Sequence, residues 1–369
     1  MKRRDFIKGG TVGLAAGAAA LAAPAAFAEK TSPRLRWRLA ASWPISLDTV
    51  YGGAEFFAKR VGELTGGRFS IRVYAGGEIV GGLQVLDAVQ QGTVEMGHTA
   101  SYYYIGKMPS LAFDTTLPFG MNYRQQNSWQ SFGGGNDLLN KEVFSQFNIV
   151  SLPAGNTGTQ MGGWFRKPLE GLGSLKGLKM RIPGFGGKVM ARLGVNVQTL
   201  AGAEIYPALE RGVIDATEWV GPYDDQKLGF YRVAKNYYYP SWWEPSTQFS
   251  LYVNKTAWDK LPKEYQAAVR AAAAEANVRV MAHYDAVNPP ALKQLIDKGV
   301  TLRPFSKDIM AAAQKNAFEL YEELASKDPT WRKIYAEWKK YRDMEYAWFN
   351  VAEQGFADFA FPQVQRTEL

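Results

Sequence analysis

One eight-residue phrase occurs twice in this chain, and its recurrence constrains the fold more than any other feature. Ala88-Val-Gln-Gln-Gly92-Thr-Val94-Glu95 aligns without gaps on Ala208-Leu-Glu-Arg-Gly212-Val-Ile214-Asp215. Each copy reads as a helix end, a glycine that stops the helix in a left-handed residue, an apolar strand start and an acid. The second copy lies inside Glu204 to Asp225, EIYPALERGVIDATEWVGPYDD. There Ala203 to Arg211 is expected as a short helix, and Val213-Ile214 as a strand carrying Asp215, Glu218 and Trp219 at or past its end. A carboxylate and an indole would stand at the lip of a sheet, where open α/β sheets gather ligands. The bland alternative is a surface acid beside a core tryptophan. Two βα units repeated far apart predict an α/β protein of two similar domains with a cleft between them, although eight residues of helix, glycine and strand also recur by chance.

The first residues read as an export signal. Lys2-Arg3-Arg4-Asp5-Phe6-Ile7-Lys8 precedes a weakly apolar stretch, Gly9 to Phe27, and Ala26-Phe27-Ala28 offers a small-residue cleavage site. A twin-arginine signal over residues 1–28, cleaved after Ala28, is expected, with the mature protein in the periplasm. Pro24 and moderate hydropathy argue against a retained anchor. Without that segment the formal charge falls from +8 to +5. The charges are dispersed, with no basic run interleaved with aromatics, so nucleic acid is not an expected partner. The absence of cysteine excludes disulfide scaffolds, thiol catalysis and cysteine-held metals.

Along the chain, strands are expected at Leu35 to Ala41, Phe69 to Tyr74 and Val94 to His98, with helices between them. Asp48 is expected to cap the first helix, which runs through Val50, Phe57 and Leu64, and Leu83 to Gln91 forms the second. Ser101-Tyr102-Tyr103-Tyr104 follows the third strand; its hydroxyls either face a cleft or pack. Asn148 to Ala154 is a strand, Gly155 to Gln160 a polar loop and Met161 to Phe165 a strand, and this is where the chain crosses to the second domain. Lys179 to Arg181 ends a strand in an arginine, and Phe249 to Val253 returns to the first domain. Two amphipathic helices, Glu264 to Tyr284 and Ala291 to Lys298, are expected on either side of Pro289-Pro290, then a helix from Lys307 to Lys327. The last helix, about Thr330 to Ala357, carries Trp331, Ile334, Tyr335, Trp338, Tyr346 and Trp348. That much aromatic surface either packs back or embraces a second copy, and the second is favoured.

Catalytic signatures are sparse. His98 and His283 are the two histidines; they lack metal-ligand spacing, and no G-x-S-x-G is present. What remains is a cleft with Arg181, whose planar fork suits a carboxylate, a polar loop, tyrosines and Glu218. Glu218 would repel a bound carboxylate unless a hard cation, held by carboxylate, amide and backbone oxygens, stood between them.

The segments ALERGVIDATEW, LKGLKMRIPG, AGNTGTQMGGWFRK and LQVLDAVQQGTVEMGHTASYYYIG resemble the extracytoplasmic solute receptors of tripartite ATP-independent periplasmic (TRAP) transporters, in particular the subgroup that binds 2-oxo acids or lactate with a metal ion. The resemblance implies a two-domain periplasmic binding-protein fold with crossing hinge strands and a long C-terminal helix. It implies domain I at 29–157 plus 247–288, domain II at 158–246 plus 289–329, and an extension at 330–369 exchanged within a homodimer. By position, Arg181, Asn156, Tyr103 and Tyr102 match ligand contacts. Gln160, Glu218 and the Trp219 carbonyl match cation ligands, with Glu244 a further one and Gln248 a weaker candidate. The expected ligand is a small monocarboxylate such as pyruvate, delivered to the membrane permease subunits. Sodium is favoured over calcium. Lactate or a larger acid with calcium, and less readily a periplasmic enzyme, stay open as alternatives.

Overall fold

The computed structural model describes residues 32–363; the expected signal segment at 1–28 and the end of the extension, 364–369, lie outside the described residues. In chain order the strands are β1 (Leu35–Ala41), β2 (Phe69–Tyr74), β3 (Met96–Thr99), β4 (Ile149–Asn156), β5 (Trp164–Phe165), β6 (Lys179–Arg181), β7 (Asn196–Gln198), β8 (Ala216–Thr217), β9 (Asn236–Tyr239), β10 (Gln248–Asn254) and β11 (Thr301–Pro304). They form two sheets, ordered β2-β1-β3-β10-β4 and β11-β9-β5-β8-β6-β7. In the first, β1 runs parallel to β2 and β3, and β10 is antiparallel to β3 and β4. In the second, β6 runs parallel to β7 and β8, while β5 is antiparallel to β8 and β9. The chain therefore leaves the first sheet at the end of β4, builds most of the second, and returns by β10. These paired strands, β4 and β10, are where the two halves are joined.

The helices that matter for the site are α1 (Val50–Leu64), α2 (Val85–Gln90), α3 (Gly184–Arg192), α4 (Gly202–Glu210), α5 (Pro222–Leu228), α6 (Lys263–Asp297), α7 (Lys307–Lys327), α8 (Pro329–Phe349) and α9 (Gly355–Ala360). α1 buries Val50, Ala54, Phe57 and Val61, the stripe that its helical spacing requires. α6 packs on α1, α5 and β4, so this one helix touches elements inserted in both sheets.

The repeated phrase has the same geometry twice. Gly92 and Gly212 have φ of 75° and 73°, a conformation that costs glycine little and other residues more. After each, the chain hooks back on the preceding helix: Val94 N donates to Ala88 O at 3.3 Å and Ile214 N to Ala208 O at 3.4 Å. Each acid then accepts a backbone N–H from the neighbouring parallel strand, Glu95 from Arg38 at 2.8 Å and Asp215 from Lys179 at 3.1 Å. Both acids are thus sheet fixtures, and the site chemistry begins beyond them.

Several local expectations are corrected. Val213-Ile214 does not start the strand; their amides are spent on the Ala208 carbonyl, and β8 is confined to Ala216–Thr217. Asp48 does not cap α1. Thr49 occupies the cap position without a side-chain bond, and Asp48 accepts from Tyr223 and Lys227 instead. Pro289-Pro290 does not divide α6. Proline removes intrahelical donors, but burial of Ala272, Ala276 and Val280 on one side and Ala291 and Leu295 on the other holds both halves in one helix. The front of the last helix packs on its own chain: Trp331, Ile334, Tyr335 and Trp338 are buried, with the Trp331 ring 4.5 Å from that of Phe113 and 5.0 Å from that of Phe185.

His98 is structural. Its Nδ1 accepts from the Trp43 indole N–H at 2.7 Å and its Nε2 lies 3.1 Å from the Ala154 carbonyl oxygen, which fixes the neutral Nε2–H form. Burial pushes its pKa down to about 4. Between the unfolded value, about 6.5, and about 4, the unfolded chain binds the extra proton, so stability is full above this window and is lost as pH falls through it. Urea unfolding of wild type and His98→Gln across pH 4–7 is expected to show a wild-type loss in that window that the variant lacks.

Candidate functional site

Arg181 ends β6, and parallel pairing of Met180 and Arg181 with Ala216 and Thr217 of β8 puts it beside Glu218, the next residue after β8. The guanidinium is 1% exposed and Glu218 fully buried. Nε donates to the Leu200 carbonyl at 3.1 Å and Nη1 to the Glu218 carbonyl at 3.1 Å, and Nη1 also forms an ion pair with Glu218 Oε1. The guanidinium carbon stands 5.3 Å from the centre of the Trp219 ring. Nη2 has no partner, and neither has Glu218 Oε2.

The crossing strands bring three further groups. Asn156 ends β4; its Oδ1 accepts from Gly158 N at 2.9 Å, leaving Nδ2 unpartnered. Gln160 spends its amide N–H groups on Thr157 Oγ1 and Thr247 Oγ1, at 3.3 and 2.8 Å, leaving Oε1 unpartnered. Thr247 in turn donates to Glu244 Oε2 at 2.7 Å. Tyr102 and Tyr103 lie on the short turn Ser101–Tyr104, and a Cβ at Gly184, at the start of α3, would meet the Tyr102 side chain at 3.2 Å. Gln248 Oε1 is also unpartnered, but the amide group itself is turned towards α6, donating to Asn277 Oδ1 at 2.7 Å.

Trp43, Val50, Tyr102, Tyr103, Gln160, Trp219, Val220 and Phe249 line a nearly filled space of about 10 Å³. A wider surface groove of about 370 Å³ beside Trp37 and Lys260 contains none of the unpartnered buried groups. The first is singled out by its lining: Gln160 carries an unpartnered buried oxygen, and Trp219 follows Glu218, which carries another.

The electrostatics are unbalanced. Burial pushes Glu218 well above the usual carboxylate range; Arg181 opposes this, while Glu244 and Asp225 add to it. Burial also raises Glu244 to about 7 against the pull of Thr247 and Arg181. For Arg181 itself burial works against the charge, but Glu218 outweighs it and the guanidinium stays protonated. Burial, with one guanidinium between two carboxyl groups, is why the acids rather than the arginine tend towards neutrality. Burial keeps Tyr102 and Tyr103 as neutral phenols. Unpartnered donors on Arg181 and Asn156 suit an anion; unpartnered acceptors on Glu218 and Gln160 suit a cation. Among the described residues no three carboxylate or imidazole groups converge as a metal cage, so a cation here fits a mixed set of carboxylate, amide and carbonyl oxygens.

Sequence reasoning missed the residues that hold these groups in place. Buried Asp114 accepts from Ser101 Oγ, and from Ser250 Oγ at 2.6 Å, anchoring the turn that carries the tyrosines. Asp224 accepts from the Trp219 indole at 3.3 Å, and Asp225 from Trp164 Nε1 at 2.8 Å and Tyr237 OH at 2.6 Å. The only sequence signal for Asp224 and Asp225 was their place at the end of the segment Glu204 to Asp225.

A fold of two α/β halves joined by crossing strands, with buried charged groups where they meet, defines a solute-binding receptor. The chain belongs to the bacterial extracellular solute-binding protein family 7, whose model matches residues 40–328. It is 55% identical over 328 residues to a monocarboxylate 2-oxoacid-binding periplasmic protein of Nostoc sp. strain PCC 7120, covering 89% of this chain and 90% of that one. A TRAP transporter solute-binding protein of Bordetella bronchiseptica superimposes with a TM-score of 0.89 at 49% identity, over 91% of this chain and 99% of that one; it is a mixed-occupancy dimer, with calcium and picolinate in one active site versus an apo site. A TRAP periplasmic solute-binding protein of Pseudoalteromonas atlantica, with sodium and pyruvate bound, gives 0.85 at 40% identity, over 88% and 99%. This chain is accordingly a periplasmic receptor of the TRAP type, and its relatives are receptors rather than enzymes.

Removing one member of the buried pair strands the other. In ligand-free protein Arg181→Met is expected to cost about 3–5 kcal/mol in urea unfolding, with Arg181→Met/Glu218→Gln losing much less.

Proposed function

We propose that this receptor closes on a small monocarboxylate bearing an electron-pair donor on the adjacent carbon, a 2-oxo acid with pyruvate as the first candidate, together with a cation, and hands it to a TRAP permease. The observation that carries this reading is the opposed set of unpartnered buried groups, donors on Arg181 and Asn156 and acceptors on Glu218 and Gln160. Arg181 and Asn156 hold the carboxylate, and the Tyr102 and Tyr103 hydroxyls complete its contacts. Gln160, Glu218, the Trp219 carbonyl and Glu244 hold the cation, which supplies the positive charge that lets an acid sit beside Glu218. Arg181 alone faces Glu218, Glu244 and the ligand carboxylate. Balance is reached with a divalent ion, or with a monovalent ion and one proton retained on Glu244. Calcium in the Bordetella protein and sodium in the Pseudoalteromonas protein support both routes, with sodium taken first for pyruvate.

The proposed halves are 29–157 plus 247–288 and 158–246 plus 289–329, a division supported by the break between the two sheets on either side of β4 and β10. Ligand contacts from both halves are complete only when the hinge is closed, so binding shifts the population to that state. Export by the twin-arginine route with cleavage after Ala28 belongs to the same reading. The picolinate of the Bordetella protein, which also sets a donor beside a carboxylate, supports a second reading in which a larger planar acid is preferred to pyruvate.

Thermal melts of protein stripped of ligand, with pyruvate, longer 2-oxo acids, lactate and picolinate, each with sodium and with calcium, test the proposal. At a hundred times the dissociation constant the true ligand adds about 2.7 kcal/mol. Arg181→Ala is expected to weaken it by about 2–5 kcal/mol, and an unchanged affinity would remove Arg181 from the anchoring role.

A homodimer through the C-terminal extension is part of the proposal. Met344, Trp348, Val351, Phe356, Phe359 and Phe361 are exposed, a larger apolar set than a solvated tail needs. Because Trp331, Ile334, Tyr335 and Trp338 belong to the core, the informative truncation falls after residue 343. That protein is expected to sediment as a folded monomer, and a truncated dimer would contradict this interface.

A further inference from the structure

We propose that Asp48, Thr49 and Lys227 set the receptor's affinity without touching its ligand, by latching the two halves in the closed state. The inference rests on the receptor reading above. Asp48 and Thr49 lie in the connection from β1 to α1, on the body of the first sheet; Tyr223, Asp224 and Lys227 lie on α5, between β8 and β9 of the second.

Four polar contacts cross between these segments. Lys227 Nζ is 2.6 Å from Asp48 Oδ1 and 3.5 Å from the Ser46 carbonyl oxygen, and Tyr223 OH donates to Asp48 Oδ2 at 3.0 Å. Thr49 Oγ1 donates to Asp224 Oδ1 at 2.6 Å. Lys227 also stands 4.5 Å from the centre of the Tyr223 ring, which aims the ammonium at the opposite segment.

The two layers of the latch differ in environment. Asp48 and Lys227 are half-exposed, so their pair contributes modestly. Thr49 and Asp224 are buried. The other oxygen of Asp224 accepts from Tyr284 OH at 2.7 Å and from the Trp219 indole at 3.3 Å. Asp224 therefore joins the first half, through Thr49, to the residue whose carbonyl is proposed to hold the cation. Hinge opening returns Asp48, Lys227 and the facing oxygen of Asp224 to water, where each finds other partners. The contacts accordingly stabilise the closed form alone, which is the condition for a differential effect on binding.

The test is stopped-flow release of pyruvate from wild type, Lys227→Ala, Thr49→Val and the swap Asp48→Lys/Lys227→Asp, in calcium chloride and in sodium chloride, with melts of the ligand-free proteins. Lys227→Ala is expected to speed release about two- to five-fold and Thr49→Val about ten-fold, because valine leaves the Asp224 oxygen buried without a donor. Association rates and the ligand-free melting temperature of Lys227→Ala should stay as in wild type, and the swap should recover much of its loss. Unchanged release in both single variants overturns the latch. Small-angle scattering of the same proteins reads closure directly. If wild type binds no acid, the receptor reading is what fails; scattering then decides the latch alone, a more extended Lys227→Ala supporting it and superimposable curves in every salt overturning it.

Discussion

The buried ion pair between Arg181 and Glu218 is the interaction on which the rest of the arrangement depends. A charged pair withdrawn from water is held only if its remaining hydrogen-bonding capacity is met. Here half of it is not, since Arg181 Nη2 and Glu218 Oε2 lack partners. A protein built for stability alone would fill or remove such groups. Retaining them, alongside the unpartnered ends of Asn156 and Gln160, leaves buried donors and acceptors that an anion and a cation together could complete.

The surrounding structure keeps those groups from finding each other. Each amide is pinned at its satisfied end, Asn156 by Gly158 N and Gln160 by two threonine hydroxyls, so the free end has a defined direction. The pins stand just after β4 and just before β10, where the chain passes between the two sheets.

Much of this was legible in the sequence. The repeated phrase revealed two like α/β units because a helix stop and a left-handed glycine are local events, and both glycines take that conformation; the strand starts came later than read because the residues after each glycine hook back on the helix. Arg181, Asn156, Gln160 and Glu218 stood at strand ends or in a polar loop, where spacing is informative; all four are buried, each with an unpartnered polar atom, and Arg181 pairs with Glu218. What could not be read depends on distant partners. Thr247 fixes Gln160 across 87 positions and Thr49 meets Asp224 across 175, and no local pattern records either. Asp48 was misread because an acid just ahead of a helix has a standard local role, and a lysine and a tyrosine on another element had claimed it. The helix across Pro289-Pro290 was divided for a similar reason, a local penalty outweighed by burial on both sides.

The central claim is that acid and cation complete one another's site, so each must raise the other's affinity by the same factor. Titration calorimetry of pyruvate into ligand-stripped wild type, repeated over a range of calcium and of sodium concentrations, measures this directly. The account predicts that pyruvate affinity rises with at least one of the two cations and collapses when both are replaced by a bulky organic cation. An affinity for pyruvate that is the same in every salt would contradict it.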